Sequence, residues 1–328
     1  MSLIRNLFIL GLLLIAATIG GIVYWSGQVI DTGGKPIDFV IKPGSGVRSV
    51  ARQMQDAGIP APAILFELLA RGTGKANKLK AGSYELEPGK TPLQLLDKIV
   101  NGEFSFGAVA IIEGWNFAQM RKAIDNSPDL KHDTKALSNA ELMKKLNADK
   151  SAPEGLFFPD TYLFAKGTSD LQIYLQAYNA QIKRLNEAWE ARSPGLPFKN
   201  SYEALIMASI IEKETGQKSE RSMISAVFAN RLKSGMLLQT DPTVIYGMGE
   251  HYQGKIHKKD LLTDTPFNTY TRPGLPPTPI SLPGLASLTA ALNPAQSEAL
   301  YFVARGDGTS VFSVNLSEHN RAVNKYQR

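Results

Sequence analysis

From Leu7 to Trp25 (LFILGLLLIAATIGGIVYW) the chain shows no hydrophobic alternation: 19 residues, almost all apolar, end in a Tyr-Trp pair suited to a membrane interface. The pattern predicts a spanning helix. The competing reading, a cleavable signal peptide, calls for a shorter apolar core and a small-residue cleavage site, neither of which is seen here. A polar linker, Asp31 to Lys35, follows. Strand-like runs then alternate with amphipathic stripes. Ile37 to Ile41 and Ser83 to Leu86 each lead through a Pro-Gly turn into a helical pattern. In these two copies Val50, Ala51 and Met54 fall opposite Leu95, Leu96 and Ile99, with Thr91 and Pro92 opening the second helix. A third stretch, IIEGWNFAQMRKAI, aligns on Gly114. The unit reads either as a recurring strand-turn-helix or as a small carbohydrate-binding module built from such units.

The lysine-rich stretch 126–152 predicts peripheral helix and loop. EGLFFPDTY (Glu154 to Tyr162) places aromatics around a Pro-Asp turn; core is the default reading, a sugar-stacking surface the alternative. Asn200 and Glu203 have capping-box spacing, so a helix is predicted from Ser201 to about Thr215 with Gly216 at C′. Its last turn holds Glu212 and Glu214, two apart and therefore on different faces. Glu214 continues the stripe of Met207, Ile210 and Ile211, and Glu212 the smaller, more polar one of Leu205, Ala208 and Ser209. Burial and the helix C-terminus would both favour a protonated Glu214, which could then serve as a general acid. The plainer reading is a pair of solvated glutamates at a frayed end.

Charge and composition change the picture little. The excess of 36 Lys+Arg over 30 Asp+Glu is scattered and does not point to nucleic acid. The absence of cysteine excludes disulfides and thiolate chemistry. His132, His251, His257 and His319 lack metal-ligand spacing, so neither a metal nor another cofactor is expected. Arg5 before the apolar run and Asp31 after it orient the N-terminus to the cytoplasm. Asp241-Pro242 reads as N-cap and first-turn proline, GLPPTPI as rigid loop, and YFVARGDG as a hairpin.

The residues ASIIEKETG, NRL, LQTDPTVIYGMGE, FNTYTRPGLPPTPI, YFVARGDG and LSEHN, in this order, resemble the YceG-like endolytic murein transglycosylases, as do EGW (Glu113 to Trp115) and EGLFFPDTY. The resemblance implies an α+β fold: an anchor (1–30), a LysM-like subdomain (31–106), and a catalytic domain (107–328) with a lysozyme-like catalytic helix. It makes Glu214, the second glutamate of EKET, the catalytic residue. It implies cleavage of the β-1,4 bond between N-acetylmuramic acid and N-acetylglucosamine, giving 1,6-anhydro ends. Gln239, Thr240, Tyr246, Asn268 and Tyr270 are of types that hydrogen-bond or stack on sugars. The implied setting is the inner membrane with the catalytic domain in the periplasm, nascent peptidoglycan strands as substrate and peptidoglycan synthases as partners. A non-catalytic wall-binding scaffold is the alternative, and it would not need Glu214.

Overall fold

The computed structural model describes residues 2–214 and 217–327, the side chains of Ser2, Leu3 and Lys218 apart. The chain divides into two units, Met1–Ala108 with Leu163–Thr168, and Val109–Tyr162 with Ser169–Arg328. The short segment 163–168 thus returns to the first unit from within the range that the sequence assigns to a catalytic domain.

The first unit opens with α1 (Ser2–Ser26). Within it Ile4–Ser26 is long and apolar enough to cross a membrane. Its large side chains lie in the open, Phe8 at 67% and Leu13 at 61% exposure, which water penalises and hydrocarbon does not. At about 1.5 Å per residue it exceeds the roughly 30 Å of a bilayer core. Then follow β1 (Ile37–Ile41), α2 (Val47–Asp56), α3 (Ala63–Gly72), β2 (Gly82–Leu86) and α4 (Pro92–Asn101). β1 and β2 pair antiparallel with Phe39 opposite Tyr84, the rings stacked at 5.5 Å. Val50, Ala51, Met54, Leu95, Leu96 and Ile99 are all buried in the core beneath this pair, as the aligned stripes predict. Thr91 and Gln94 form the reciprocal cap that starts α4. α3, between the two strand-helix units, was not anticipated; Phe66, Leu69 and Ala70 face the same core. On the returning segment Lys166 donates to Asp38 at 3.0 Å and to Glu85 at 2.8 Å, tying it to both strands.

β3 (Phe106–Ala110) leads into the second unit: α5 (Phe117–Asp125), β4 (Leu130–Lys131), α6 (Asn139–Lys145), β5 (Thr161–Ala165), β6 (Thr168–Ser169), α7 (Asp170–Glu190), α8 (Ser201–Glu214), α9 (Arg221–Lys233), α10 (Asp241–Met248), α11 (Lys258–Leu262), α12 (Leu285–Leu292), β7 (Tyr301–Ala304), β8 (Ser310–Ser313) and α13 (Leu316–Tyr326). Among the described residues the strands pair in twos: β1 with β2, β3 with β5, β4 with β6, and β7 with β8. The class is mixed α and β, with helices supplying the core. Leu156, Phe157, Phe158 and Tyr162 are buried, and Phe157 packs on Phe117 and Tyr174 at 5.3 and 5.8 Å. EGLFFPDTY is therefore core, and its rings offer no stacking surface to a sugar.

α8 runs through the centre, against α7, α9, α10 and α12. Asn200 caps it, accepting the Glu203 N–H at 3.0 Å. The Glu203 carboxylate reaches one residue further back than a capping box requires, to the Lys199 N–H at 2.8 Å. Thr215 and Gly216, the expected end and C′ of this helix, lie outside the described residues.

Removing the Leu96 side chain, which has no exposed surface, leaves a cavity in the small core of the first unit. Leu96→Ala is expected to cost about 2–5 kcal/mol, read as faster hydrogen exchange of the β1, β2 and α4 amides in the full chain, with α8 unchanged.

Candidate active site

Residues 204–211 of α8 are all buried, on every face of the helix. The face argument from the sequence therefore does not separate the two glutamates that follow; their partners do. Glu212 was placed on the more polar stripe, yet its side chain is only 6% exposed and lies against Arg221, itself 9% exposed, at 3.2 Å. Its other oxygen accepts the Gly284 N–H at 3.0 Å, at the start of α12. Glu212 is thus a charged carboxylate fully compensated within the core.

Among the described residues no cation is bonded to Glu214. Its Oε1 accepts a short hydrogen bond from the Thr240 hydroxyl. Burial pushes the Glu214 carboxyl above the usual range, and the negative charge of Asp241 adds to this. The Thr240 bond and the more distant Arg231 act the other way. The residue remains partly exposed, so that a ligand can reach the proton.

The Thr240 hydroxyl is held from several sides. Thr240, Thr243 and Thr269 are all but fully buried. The Thr240 N–H donates to Thr269 Oγ1 at 3.1 Å, and the Thr243 hydroxyl donates to the Thr240 carbonyl at 2.7 Å. Arg231 reaches under the approach: Nη1 donates to the carbonyls of Leu237 (3.3 Å) and Leu238 (2.7 Å), and Nε to that of Leu300 (2.7 Å). Between them Gln239 adopts φ 51°, a left-handed conformation that costs a non-glycine residue about 1–3 kcal/mol. Its N–H donates to the Thr269 carbonyl at 3.1 Å while its side chain stays exposed. Helix α10 starts at Asp241, with Thr240 as N-cap and Pro242 in the first turn, one position earlier for the cap than the sequence reading has it.

The remaining candidates divide. The Tyr270 hydroxyl donates to Asp241 at 2.6 Å, within reach of the Glu214 charge. Asn268 is fully buried, and its amide donates to the carbonyls of Thr263 (2.7 Å) and Leu261 (3.1 Å) while accepting the Tyr270 N–H (2.8 Å). Its amide organises the loop and does not present itself to a ligand. The Tyr246 hydroxyl points to Glu154, at 2.9 Å. GLPPTPI docks on α8, where the Ile280 N–H donates to Ser209 Oγ at 3.0 Å.

Arg221 was not singled out from the sequence, and Arg231 and Glu154 entered only as members of the NRL and EGLFFPDTY motifs, with no role given to them. For Glu154 a signal existed, a single carboxylate next to an aromatic core run; Arg221 and Arg231 have no local mark. Glu113 adds a further acidic group: its carboxylate lies over Gly284, where a Cβ would come within 1.9 Å of Oε1 and would displace the carboxylate. Among the described residues Asp125, His132 and Asp170 each bring one potential metal-ligand atom within 4.8 Å of the others, a grouping invisible in sequence spacing. Asp170 already accepts the Asp133 and Thr134 N–H groups and the Thr134 hydroxyl, which makes it the anchor of that loop.

Glu212→Ala strands the Arg221 charge in the core. A loss of about 3–5 kcal/mol is expected, measured by denaturant unfolding of the second unit, whereas Glu212→Gln, which keeps the shape and one of the two acceptor oxygens, costs less.

The sequence model of the YceG-like family matches residues 39–325. A Bacillus subtilis protein named endolytic murein transglycosylase is 31% identical over 312 residues, covering 88% of this chain and 84% of that protein. A protein of the same name from Streptococcus pneumoniae is 27% identical over 320 residues, covering 86% of this chain and 57% of that longer one. The crystal structure of a YceG-like protein from Listeria monocytogenes matches with a TM-score of 0.55 at 32% identity, over 88% of this chain and 99% of that one. On these grounds the chain belongs to the YceG-like family.

Proposed function

We propose that this protein is an endolytic murein transglycosylase whose single acid and base is Glu214. The observation that carries the reading is a carboxyl at the end of a buried helix, raised by burial and bonded, among the described residues, to a hydroxyl and to no cation. Protonated, Glu214 gives its proton to the glycosidic oxygen as the bond to the muramic anomeric carbon breaks. As a carboxylate it then takes the proton of the muramic C6 hydroxyl, whose oxygen closes the 1,6-anhydro ring. The attacking group belongs to the substrate, so the water-activating partner of an inverting glycosidase is not needed. The relatives' names support murein as the substrate.

Gln239 and Tyr270 flank the acid and are the side chains best placed to meet a sugar. Thr240 acts on the acid, and Tyr246 and Asn268 act on the frame behind it. The exposed apolar helix α1 anchors the chain in the inner membrane with the rest in the periplasm. The first unit, with its two strand-helix repeats, is a LysM-like module that holds nascent strands near the synthases that make them.

Glu214→Gln removes the transferable proton and keeps the shape. Its rate of murein cleavage should fall at least about a hundredfold, with wild type giving 1,6-anhydro ends by mass analysis and folded Glu212→Gln retaining far more. Comparable loss in Glu212→Gln with Glu214→Gln active would reverse the assignment. Topology has its own test: protease added to spheroplasts should digest the region after Asp31 while the inner membrane is intact, and protection there would place the domain inside.

A further inference from the structure

Glu154 is a buried carboxyl, 6% exposed, that the reaction above does not use. Its Oε1 accepts the Phe117 N–H and its Oε2 the Tyr246 hydroxyl, both at 2.9 Å. Burial pushes this carboxyl up to about 7, against the opposing bonds from Tyr246, Phe117 and Gly155. The titratable groups facing it are Tyr246 of α10 and Tyr202 of α8, two phenols that burial keeps protonated.

Three segments that touch α8, one of them reaching Glu214 through Thr240, meet at or next to this carboxyl. Phe117 opens α5, directly after Glu113–Asn116, a segment lying against the last turn of α8, where Lys213 Nζ donates to the Gly114 carbonyl at 3.3 Å. Tyr246 is in α10, which begins at the N-cap Thr240, and its ring meets Phe267 edge-on at 4.8 Å. The neighbouring Gly155 sits at φ 77°, where a Cβ would lie 2.4 Å from Pro279 of the loop docked on Ser209. α10 is a short rigid rod, with the Tyr246–Glu154 contact near one end and the Thr240 hydroxyl at the other.

We propose that Glu154 is a positioning residue for the reaction, a proton-controlled strut that sets the Thr240 hydroxyl against Glu214 from behind. The inference rests on Glu214 being the acid. As a carboxylate, Glu154 accepts both of its bonds. When it takes up a proton, Phe117 N–H can still only donate, so the proton sits on Oε2 and points at the Tyr246 oxygen. The phenol must then rotate to accept, and its own hydrogen loses its partner. The seated arrangement is that of the ionised form, so protonation of Glu154, whose carboxyl is pushed up to about 7, should set an acid limb on the cleavage rate, while loss of the Glu214 proton sets the alkaline limb.

The test is kcat and KM of the full-length protein in detergent on purified murein, from about pH 5 to pH 9, for wild type, Glu154→Gln, Tyr246→Phe and Glu214→Gln. Glu154→Gln should lose the acid limb near pH 7, with kcat at the optimum lower by about three- to tenfold and KM changed less than twofold. Tyr246→Phe removes a bond that lowers the Glu154 pKa, so its acid limb should move to higher pH. Folding is read separately. A carboxyl raised from an ordinary value near 4.5 to about 7 contributes stability that is full at low pH and lost as pH rises through 7. The melting temperature of wild type should therefore fall relative to Glu154→Gln over that interval, and if Glu154→Gln does not fold, Tyr246→Phe carries the measurement. An unchanged acid limb in either variant overturns the strut. So does a folded Glu154→Gln as inactive as Glu214→Gln, since Glu154 would then act on the substrate itself. An active Glu214→Gln would instead bring down the assignment of the acid, and leave the acid limb and its shift in Glu154→Gln to be read as before.

Discussion

A carboxylate taken out of water must find positive charge, find enough hydrogen-bond donors, or keep its proton, and the second unit is built around that constraint. Three of its glutamates meet it in three ways. Glu212 finds Arg221 and the first N–H of the α12 end, and stays part of the frame. Glu154 finds one amide and one phenol, short of what a buried negative charge needs, and is poised near neutrality. Glu214 finds one hydroxyl and an unfavourable neighbour, Asp241. Two residues of the same type, one turn of helix apart at most, thus differ in chemistry because of what faces them, and not because of the helix they share.

The frame that supplies these partners is rigid where it matters. Thr240 reaches Glu214 only because the chain before it bends through a left-handed Gln239. A strained residue of that kind persists when its surroundings over-determine it. Arg231 supplies the determination by binding the two preceding carbonyls, and Thr269 by binding the N–H groups of Gln239 and Thr240. Arg231 pays a desolvation cost for this, since its guanidinium is buried among carbonyl oxygens with the Tyr301 ring over it. Its charge also acts at a distance on Glu214, favouring the ionised form without bonding to it.

Much of this was legible in the sequence where the signal is local. The stripes of α2 and α4, the Thr91 cap and the turn of the terminal hairpin follow from period and turn residues, and all form as the pattern predicts. The position of Glu214 at the end of an apolar helix was legible too, as was the burial that raises its carboxyl; the face assigned to Glu212 was misread. An eight-residue stretch buried on every side has no polar face to assign Glu212 to. What distinguishes the two glutamates comes from Arg221, Thr240 and Gly284, the last two 26 and 72 residues distant along the chain from their partners. Glu154 escaped for the same reason: its partners Phe117 and Tyr246 lie on either side of it, 37 and 92 residues away. Asn268 shows the converse error, since a polar residue in a motif reads as ligand-binding until its amide is found bonded to three carbonyls of its own loop.

In the proposed reaction Glu214 acts first as acid and then as base, and it gains nothing from an environment that favours either form strongly. A cation in the place of Thr240 would hold Glu214 ionised and withhold the first proton. A wholly apolar wall would hold it protonated and prevent the second transfer. Burial and Asp241 press one way, and the Thr240 hydroxyl and remote Arg231 the other. The hydroxyl is well suited to the middle position: it donates to the carboxylate without carrying a charge, and it can rotate when the carboxyl is protonated. Its own geometry then becomes the sensitive quantity, which is why so many bonds behind the acid, in α10, in the Thr269 loop and at Glu154, converge on a single threonine.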